Sequence, residues 1–462
     1  MSLTPTPAPL PPFDSAQHRR ATMTAPDGSP AGRIRLAGFV LFTALGGDAW
    51  QSLFGWPAFV VLVVGLTVAC AVSLAQSGRR IALPRYSKPL VAFVVLCAVS
   101  LLWSQYPGAT VLGIAAQWLA ALAGFFMALT LTWLEILRAL GTALRWMLGL
   151  SLLFELAVAI WVRQPLPALW LLAPGQTPPA DYQWSTASLL NGGPIQGIVG
   201  NRNLLAFLVL LALIVFAIEW VEKTRSTFSS IAWLAVAVLE HALTRSATVL
   251  MATVAVAFVL AIALAIRRVA VNRRLVIYPF GIAGLVGLAF AIPNLSDRLF
   301  PLLGRSNDLT GRFDIWNTVL SLAWQHPVLG WGWVSYWAPW VAPFKGLVVI
   351  DGTEYLQAHN AWVDIFLQLG FVGLFVFGCL IAATGVRSWW MAVDPPGPLV
   401  GVPTPYQAIA LLPLLLLAAL VIQSLTESRL LLEGNFLLLV LLATKVKLDP
   451  LPLGPPPRSL AR

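Results

Sequence analysis

The feature that most constrains this chain is a series of long apolar segments separated by short polar connections. An apolar run of about 20 residues crosses a membrane as one helix. The chain is 58% hydrophobic and 10% charged, whereas soluble domains carry about 25% charged residues. The pattern therefore predicts an all-α polytopic membrane protein with about twelve transmembrane helices. The predicted spans lie near residues 36–55, 57–75, 89–103, 110–133, 144–162, 203–220, 228–243, 247–266, 275–292, 360–384, 405–424 and 431–446.

These spans divide the chain into five parts. We expect a disordered cytoplasmic tail at 1–32, helices 1–9 at 33–292, an extracytoplasmic cap at 293–358, helices 10–12 at 359–447 and a cytoplasmic tail at 448–462. The first tail is rich in Pro, Ser and Thr and lacks the apolar core of a signal peptide. The three cysteines lie inside apolar runs, so no disulfide or metal framework is indicated.

The positive charges give the orientation. With a cytoplasmic N-terminus, 21 of the 29 lysines and arginines fall on the inner side, as the positive-inside rule requires. The bias accounts for the net charge of +10 through topology and anionic lipid headgroups. We therefore expect membrane lipids as partners and no nucleic acid. The eight basic residues left outside are Arg163, Arg202, Arg245, Arg298, Arg305, Arg312, Lys345 and Arg429.

The outer connection at 293–358 is too long for a simple turn, and loops of that size are usually functional or disordered. It contains six tryptophans between residues 316 and 340, too many for a disordered segment. Indole rings favour the membrane interface. The sequence therefore predicts a folded cap of short amphipathic helices at that interface. Glu354 and Gln357, near its end, are candidates either for binding sugar or for anchoring the cap.

Two outer arginines adjoin helix ends. Arg245 lies in a connection of about three residues, Thr244-Arg245-Ser246. It is either an arginine that extends to the headgroups or part of an anion site facing an outer cavity. Arg202 lies between Asn201 and Asn203, directly before a helix whose N-terminal amides favour an anion. The alternative is a capping asparagine beside an uninvolved arginine.

Arg312 and His359 present a similar choice. Arg312 follows a Thr-Gly turn and would, on a purely structural interpretation, pair with Asp308. His359 precedes Asn360 at the mouth of an apolar helix and could be a packing residue, yet a proton-transferring group at this place also suits chemistry on a lipid-linked substrate. Arginines from three connections share a face with this histidine. Arginine forks bind phosphate oxygens bidentately, so the set suits a diphosphate.

Several motifs carry a family resemblance. His359-Asn360, nine helical residues and Gly370-x-x-Gly373 resemble the signature of the bacterial O-antigen ligase and polymerase superfamily. Further elements are similar to family motifs in their usual order: Gly200-Asn201-Arg202-Asn203, Arg245, Thr310 to Trp316, His326-Pro327 and Leu329-Gly330-Trp331-Gly332. The resemblance covers about residues 197–375 and does not separate ligases from polymerases.

The resemblance implies a metal-independent, inverting glycosyltransferase of the bacterial cytoplasmic membrane. It would move a glycan from undecaprenyl diphosphate to a hydroxyl of a lipid, glycan or protein acceptor on the outer face. His359 would be the base, a role that histidine fills at neutral pH. Arg202, Arg245 and Arg312 would bind the diphosphate and stabilise its charge. Asn201, Asn203, Asn360 and Glu354 would support the site, and no metal or cofactor is implied.

Two other classes of protein remain as alternatives. A transporter or flippase for the same lipid would also need outward-facing arginines. Many transporters show paired inverted repeats with interrupted helices, and no internal repeat is obvious in this sequence. A non-catalytic scaffold of the cell envelope would not need a histidine and arginines on one face. The sequence therefore favours the enzyme.

Overall fold

The computed structural model describes residues 30–78, 86–167, 183–281, 283–284, 287, 309–350, 353–394 and 406–449. Several expectations lie outside these residues. They are the tails at 1–29 and 450–462, most of the ninth span beyond residue 281, the first part of the cap with Arg298, Arg305 and Asp308, and the basic residues Arg79, Arg80 and Arg85.

The described residues form a helical bundle. Its α-helices are α1 Pro30–Leu45, α2 Gly47–Gln76, α3 Lys88–Val99, α4 Pro107–Thr130, α5 Trp133–Ala157, α6 Arg202–Val221, α7 Thr227–Thr244, α8 Ala247–Arg267, α9 Leu309–Ala323, α10 Ala361–Val393, α11 Leu412–Ser424 and α12 Glu433–Leu448. Residues 274–281 are also helical. Two short antiparallel pairs lie in loops: β1 Leu166–Pro167 with β2 Gln183–Ser185, and β3 Val349–Ile350 with β4 Thr353–Glu354.

The prediction of an all-α polytopic membrane protein is confirmed. Among the described residues, seven helices are long and apolar enough to cross a membrane: α2, α4, α5 with its extension to Val162, α6, α7, α8 and α10. Two shorter apolar helices cover Lys88–Leu102 and Ala408–Ser424. The larger number of about twelve spans remains a prediction.

The structure interrupts the first two predicted spans at two places. The sequence predicted a break near residue 56, just before Pro57. Gly55 does leave helical geometry there, with φ +79°, and a second break at Gly46 separates α1 from α2. Proline lacks an N–H and kinks a helix whose neighbouring residues relieve the clash. Gly55 provides that relief because it lacks a Cβ atom.

Helix α12 lies at the centre of the bundle. Its residues from Gly434 to Val446 are buried without interruption, which explains why the segment is apolar on all sides. Close packing against α4 depends on Gly124, where an added Cβ would lie 2.8 Å from the carbonyl oxygen of Leu437. Small residues at such crossings bring helix backbones together in membranes.

The cap is attached to α10 through an interrupted turn. Gly370 leaves helical geometry with φ +62° and ψ −158°. Backbone hydrogen bonds then link the two segments: Phe371 N donates to Pro327 O at 2.8 Å, and Trp331 N donates to Leu367 O at 3.0 Å. At Gly330, whose φ is +70°, an added Cβ would collide with the backbone of Gln368. The glycine-rich sequence at 329–332 therefore allows two backbones to meet.

The described part of the cap differs from the expected set of short interfacial helices. It contains one α-helix, α9, the β3–β4 pair and several turns. Trp333 and Trp337 are fully buried, whereas Trp324 and Trp340 are exposed. The Trp337 ring stacks on Phe344 at 5.7 Å. Part of the tryptophan content therefore forms a core inside the cap.

Several connections meet at one end of the bundle. Arg429, between α11 and α12, pairs with Asp48 at the start of α2 at 3.1 Å. Tyr106, at the start of α4, donates to Gly332 O in the cap at 2.7 Å. The opposite end holds basic residues that were expected inside, such as Arg274, which pairs with Asp394 at 2.8 Å. The charge-based orientation thus assigns the cap and the candidate site to the same end.

The attachment of the cap can be tested with two glycines. Gly330→Ala places a Cβ against the backbone of Gln368, whereas Gly346→Ala meets open space at a similar φ of +67°. The control removes only the conformational freedom of glycine, which costs about 1 kcal/mol. We expect Gly330→Ala to lower the unfolding temperature in detergent clearly more than Gly346→Ala does. Equal shifts would show that the close approach is unimportant.

Candidate functional site

His359 lies immediately before α10. Asn360 caps this helix, because its side-chain oxygen accepts hydrogen bonds from Trp362 N at 3.0 Å and Val363 N at 3.4 Å. The backbone of His359 is left-handed, with φ +49°, a conformation that is uncommon for residues with a side chain and that is often found at functional sites. Its side chain is 20% exposed. The histidine is therefore fixed by the helix start and still accessible.

A carboxylate from a distant part of the chain holds this histidine. Glu427 lies between α11 and α12, and its Oε2 is within hydrogen-bond distance of His359 Nδ1, at 2.9 Å. Its other oxygen, Oε1, accepts a hydrogen bond from Arg312 of α9 at 3.3 Å. Three separate elements thus contribute one side chain each to a single cluster, which we call the His359 cluster.

Glu427 is ionised in this setting. Burial would raise the pKa of this carboxyl, but His359, Arg312 and Arg429 together lower it below its ordinary value. A carboxylate only accepts hydrogen bonds. The Nδ1 atom of His359 is therefore the donor, and Nε2, which has no partner among the described residues, carries a lone pair when the ring is neutral.

A second carboxylate stabilises the backbone around the histidine. Asp364, in the first turns of α10, accepts hydrogen bonds from Trp337 Nε1 at 2.8 Å, from Ala358 N at 3.1 Å and from the Ser428 hydroxyl. Ser428 in turn accepts from Asn360 N at 3.2 Å. The cap, the start of α10 and the α11–α12 connection are thereby joined around His359.

Arg245 and Arg202 lie at neighbouring helix ends. Arg245 ends α7 in a left-handed conformation with φ +48° and is exposed. The Ser246 hydroxyl donates to Asn203 Oδ1 at 2.8 Å, which brings the start of α6 beside the α7–α8 connection. Arg202 is half-buried at the first position of α6. The two arginines therefore belong to the same region of the surface.

The asparagines of this region have structural roles. Asn201 caps α6 and accepts from Asn203 N at 2.8 Å and from Leu204 N at 3.2 Å. The capping interpretation of the sequence is thus correct for Asn201, and its side chain occupies two of the helix amides that were considered for an anion. The partial positive charge of the helix end still favours an anion beside Arg202.

A cleft separates the start of α6 from the α11–α12 connection. Its lining residues are Ala44, Leu45, Leu204, Phe207, Leu208, Arg429, Leu432, Glu433, Gly434 and Asn435. Leu204 follows Arg202 by two residues, and Arg429 follows Glu427 by two residues. The lining therefore comes from the first two turns of α6 and from the segment between Arg429 and Asn435.

The remaining candidates are engaged within the protein. Arg312 pairs with Glu427, and Asp308, the partner suggested by the sequence, lies outside the described residues. Glu354, on β4, accepts from Gly346 N at 2.6 Å and contributes to the turn of the cap. Both side chains thus have partners within the protein.

Glu427 is the residue that the sequence analysis missed. It lies in Leu425-Thr426-Glu427-Ser428-Arg429, a polar interruption between two apolar segments. The predicted topology already assigned this connection to the outer face, because Arg429 was counted there. Attention to acidic as well as basic residues on that face would have identified it.

Comparison with known proteins gives one family match, over part of the chain. Residues 230–378 match the model of the O-antigen ligase family, which includes Arg245, Arg312 and His359. The family comprises bacterial inner-membrane enzymes that transfer lipid-linked glycans. No curated protein matches the chain. The match ends before Glu427 and begins after Arg202.

Proposed function

We propose that the chain carrying this O-antigen ligase domain is an inverting glycosyltransferase that moves a glycan from undecaprenyl diphosphate to an acceptor hydroxyl. The observation that supports this function best is the location of His359, Arg245 and Arg202 at helix ends on one side of the bundle. One group there accepts protons, the others carry positive charge, and the helices around them are apolar. A lipid-linked diphosphate needs all three properties.

In the proposed reaction the acceptor oxygen attacks the anomeric carbon of the donor sugar. The bond between that carbon and the phosphate oxygen breaks, and its electron pair leaves with undecaprenyl diphosphate. The proton of the acceptor hydroxyl passes to Nε2 of His359, which acts as the general base. A single displacement of this kind inverts the anomeric configuration.

The arginines would stabilise the leaving group. Charge builds on the diphosphate as the bond breaks, and fixed positive groups lower the energy of that transition state. A planar guanidinium group donates two parallel hydrogen bonds to phosphate oxygens, so its binding of a phosphate does not require a metal ion. Arg245 and Arg202 are assigned this role, while Arg312 adds positive charge from the cap side of the His359 cluster.

The acceptor separates two reactions of this superfamily. A ligase transfers the glycan to a different molecule, such as a lipid or a protein, and a polymerase extends another lipid-linked glycan. We propose the ligase reaction. Analysis of a deletion strain distinguishes them, because loss of a ligase leaves long unattached chains, whereas loss of a polymerase leaves single repeat units.

The base is tested with His359→Asn. Asparagine tolerates the left-handed backbone conformation required at this position but does not act as a base. We expect kcat to fall by about 10²- to 10⁴-fold. The assay uses the lipid-linked glycan extracted from a deletion strain, with a chelator present. Binding of undecaprenyl diphosphate should be unchanged, and full activity of the variant would remove His359 from the mechanism.

The diphosphate site is tested with Arg245→Gln. The matched control is Arg163→Gln, because Arg163 is another outer arginine in a left-handed conformation, with φ +57°. We expect binding of undecaprenyl diphosphate to weaken about tenfold in the first variant, the loss of roughly one charge-assisted hydrogen bond, and to stay unchanged in the control. Equal binding by both variants would show that Arg245 only contacts headgroups.

The proposed location of the site is the extracytoplasmic face of the bacterial inner membrane. Lys345 in the cap is exposed, and Arg225 in the α6–α7 connection is exposed at the opposite end. In intact spheroplasts, a membrane-impermeant maleimide should label Lys345→Cys but not Arg225→Cys. The protein without an introduced cysteine is the control. The reverse labelling pattern would invert the proposed topology.

A further inference from the structure

We propose that Glu427 is the positioning residue of the base: its carboxylate orients His359 and stabilises the imidazolium that forms when His359 takes the acceptor proton. This inference rests on the proposed function, since it assigns a partner to the same base. It adds a residue from outside the segment that matches the family model.

The geometry supports a specific pairing. The 2.9 Å separation between Glu427 Oε2 and His359 Nδ1 is that of a short charge-assisted hydrogen bond. The side chain of Glu427 is only 10% exposed and that of His359 is 20% exposed. Water therefore competes little with this contact, and the ring is held while Nε2 remains accessible to a substrate.

The pairing selects the form of the histidine that can act as a base. Because the carboxylate accepts from Nδ1, the neutral ring carries its proton there and exposes the lone pair of Nε2. A carboxylate placed behind a catalytic imidazole acts in this way in unrelated hydrolases. When Nε2 gains the acceptor proton, the ring becomes positive and lies against a negative partner.

The backbone of the α11–α12 connection holds Glu427 in position. Glu427 N donates to Gln423 O at 2.9 Å, and the adjacent Ser428 hydroxyl bonds the Asp364 carboxylate and accepts from Asn360 N. Glu427 therefore contacts His359, and Ser428 contacts Asn360. These contacts hold a residue that is 68 positions away in the chain against the histidine.

Arg312 completes the electrostatic balance. It binds the second oxygen of Glu427 at 3.3 Å. Burial would raise the pKa of this carboxyl, but Arg312 and Arg429 help His359 to lower it. The carboxylate thus stays ionised over the neutral range. Asp364 is the other acidic group that acts on His359, from the first turns of α10.

The test compares Glu427→Gln, Glu427→Asp and Asp314→Asn. Glutamine keeps the size of the side chain but removes its charge. Without that charge the imidazolium is less favoured, so protonation of His359 requires a lower pH. We expect kcat of Glu427→Gln to fall about 10²-fold or more, and the acid limb of its pH profile to move to lower pH. Glu427→Asp, which keeps the charge on a shorter side chain, should recover part of kcat and return the limb toward its original pH.

Asp314→Asn is the matched control. Asp314 is an exposed acidic residue of α9, two positions after Arg312. We expect its pH profile to keep the original acid limb. Binding of undecaprenyl diphosphate should be unchanged in Glu427→Gln, which shows that the variant is folded.

The outcomes separate this inference from the proposed function. If His359→Asn is inactive while Glu427→Gln keeps its activity and its acid limb, the inference is wrong and the base assignment stands. If Glu427→Gln loses activity with no movement of the limb and Glu427→Asp restores nothing, Glu427 is a structural residue only. If His359→Asn is fully active, both proposals fail.

Discussion

The interruption of α10 at Gly370 is the constraint on which the rest of the site depends. A helix that loses its regular hydrogen bonds inside a membrane protein needs other partners for the exposed backbone groups. Segment 327–335 of the cap provides them: Phe371 N and Val372 N bond to Pro327 O and Val328 O, and Gln368 O accepts from Gly332 N. The Gln368 side chain also accepts from Val334 N and Ser335 N. The cap is thus attached to the first three turns of α10, which carry Asp364 and begin directly after the His359-Asn360 pair.

Much of the helical framework follows from the sequence alone. The structure places α6, α7 and α8 within one or two residues of the predicted spans, because charged or capping residues bound each apolar run on both sides. The break predicted near residue 56 corresponds to the non-helical Gly55, whereas the break at Gly46 was not predicted, because close packing sets it. At Gly46 an added Cβ would lie 3.0 Å from Phe42 O and would also meet Met147. The predicted span ended at residue 384, whereas α10 continues to Val393, because Arg387 resembles the basic residue of a helix end.

The candidate site was predictable only in part, for a similar reason. His359 and the arginines carry local motifs, and charge counting assigned them to one face. Glu427 carries no local motif, and its contact with His359 joins residues 68 positions apart. The identity of the partner of Arg312 likewise depended on where the α11–α12 connection packs. Long-range pairs between ionisable groups are set by tertiary packing, which helical periodicity does not report.

The outer arginines differ in how many carboxylates contact them. Arg429 contacts both Asp48 and Glu433, at 3.1 and 3.6 Å, and these carboxylates raise its pKa above the ordinary value although burial opposes them. Its charge is already balanced, and a diphosphate would have to displace two carboxylates to reach it. Arg312 shares one carboxylate with His359. Arg245 is exposed, with its guanidinium beside Gly192. Under the proposed function, Arg245 is therefore better placed than Arg429 to bind the diphosphate, and Glu427 stays paired with His359.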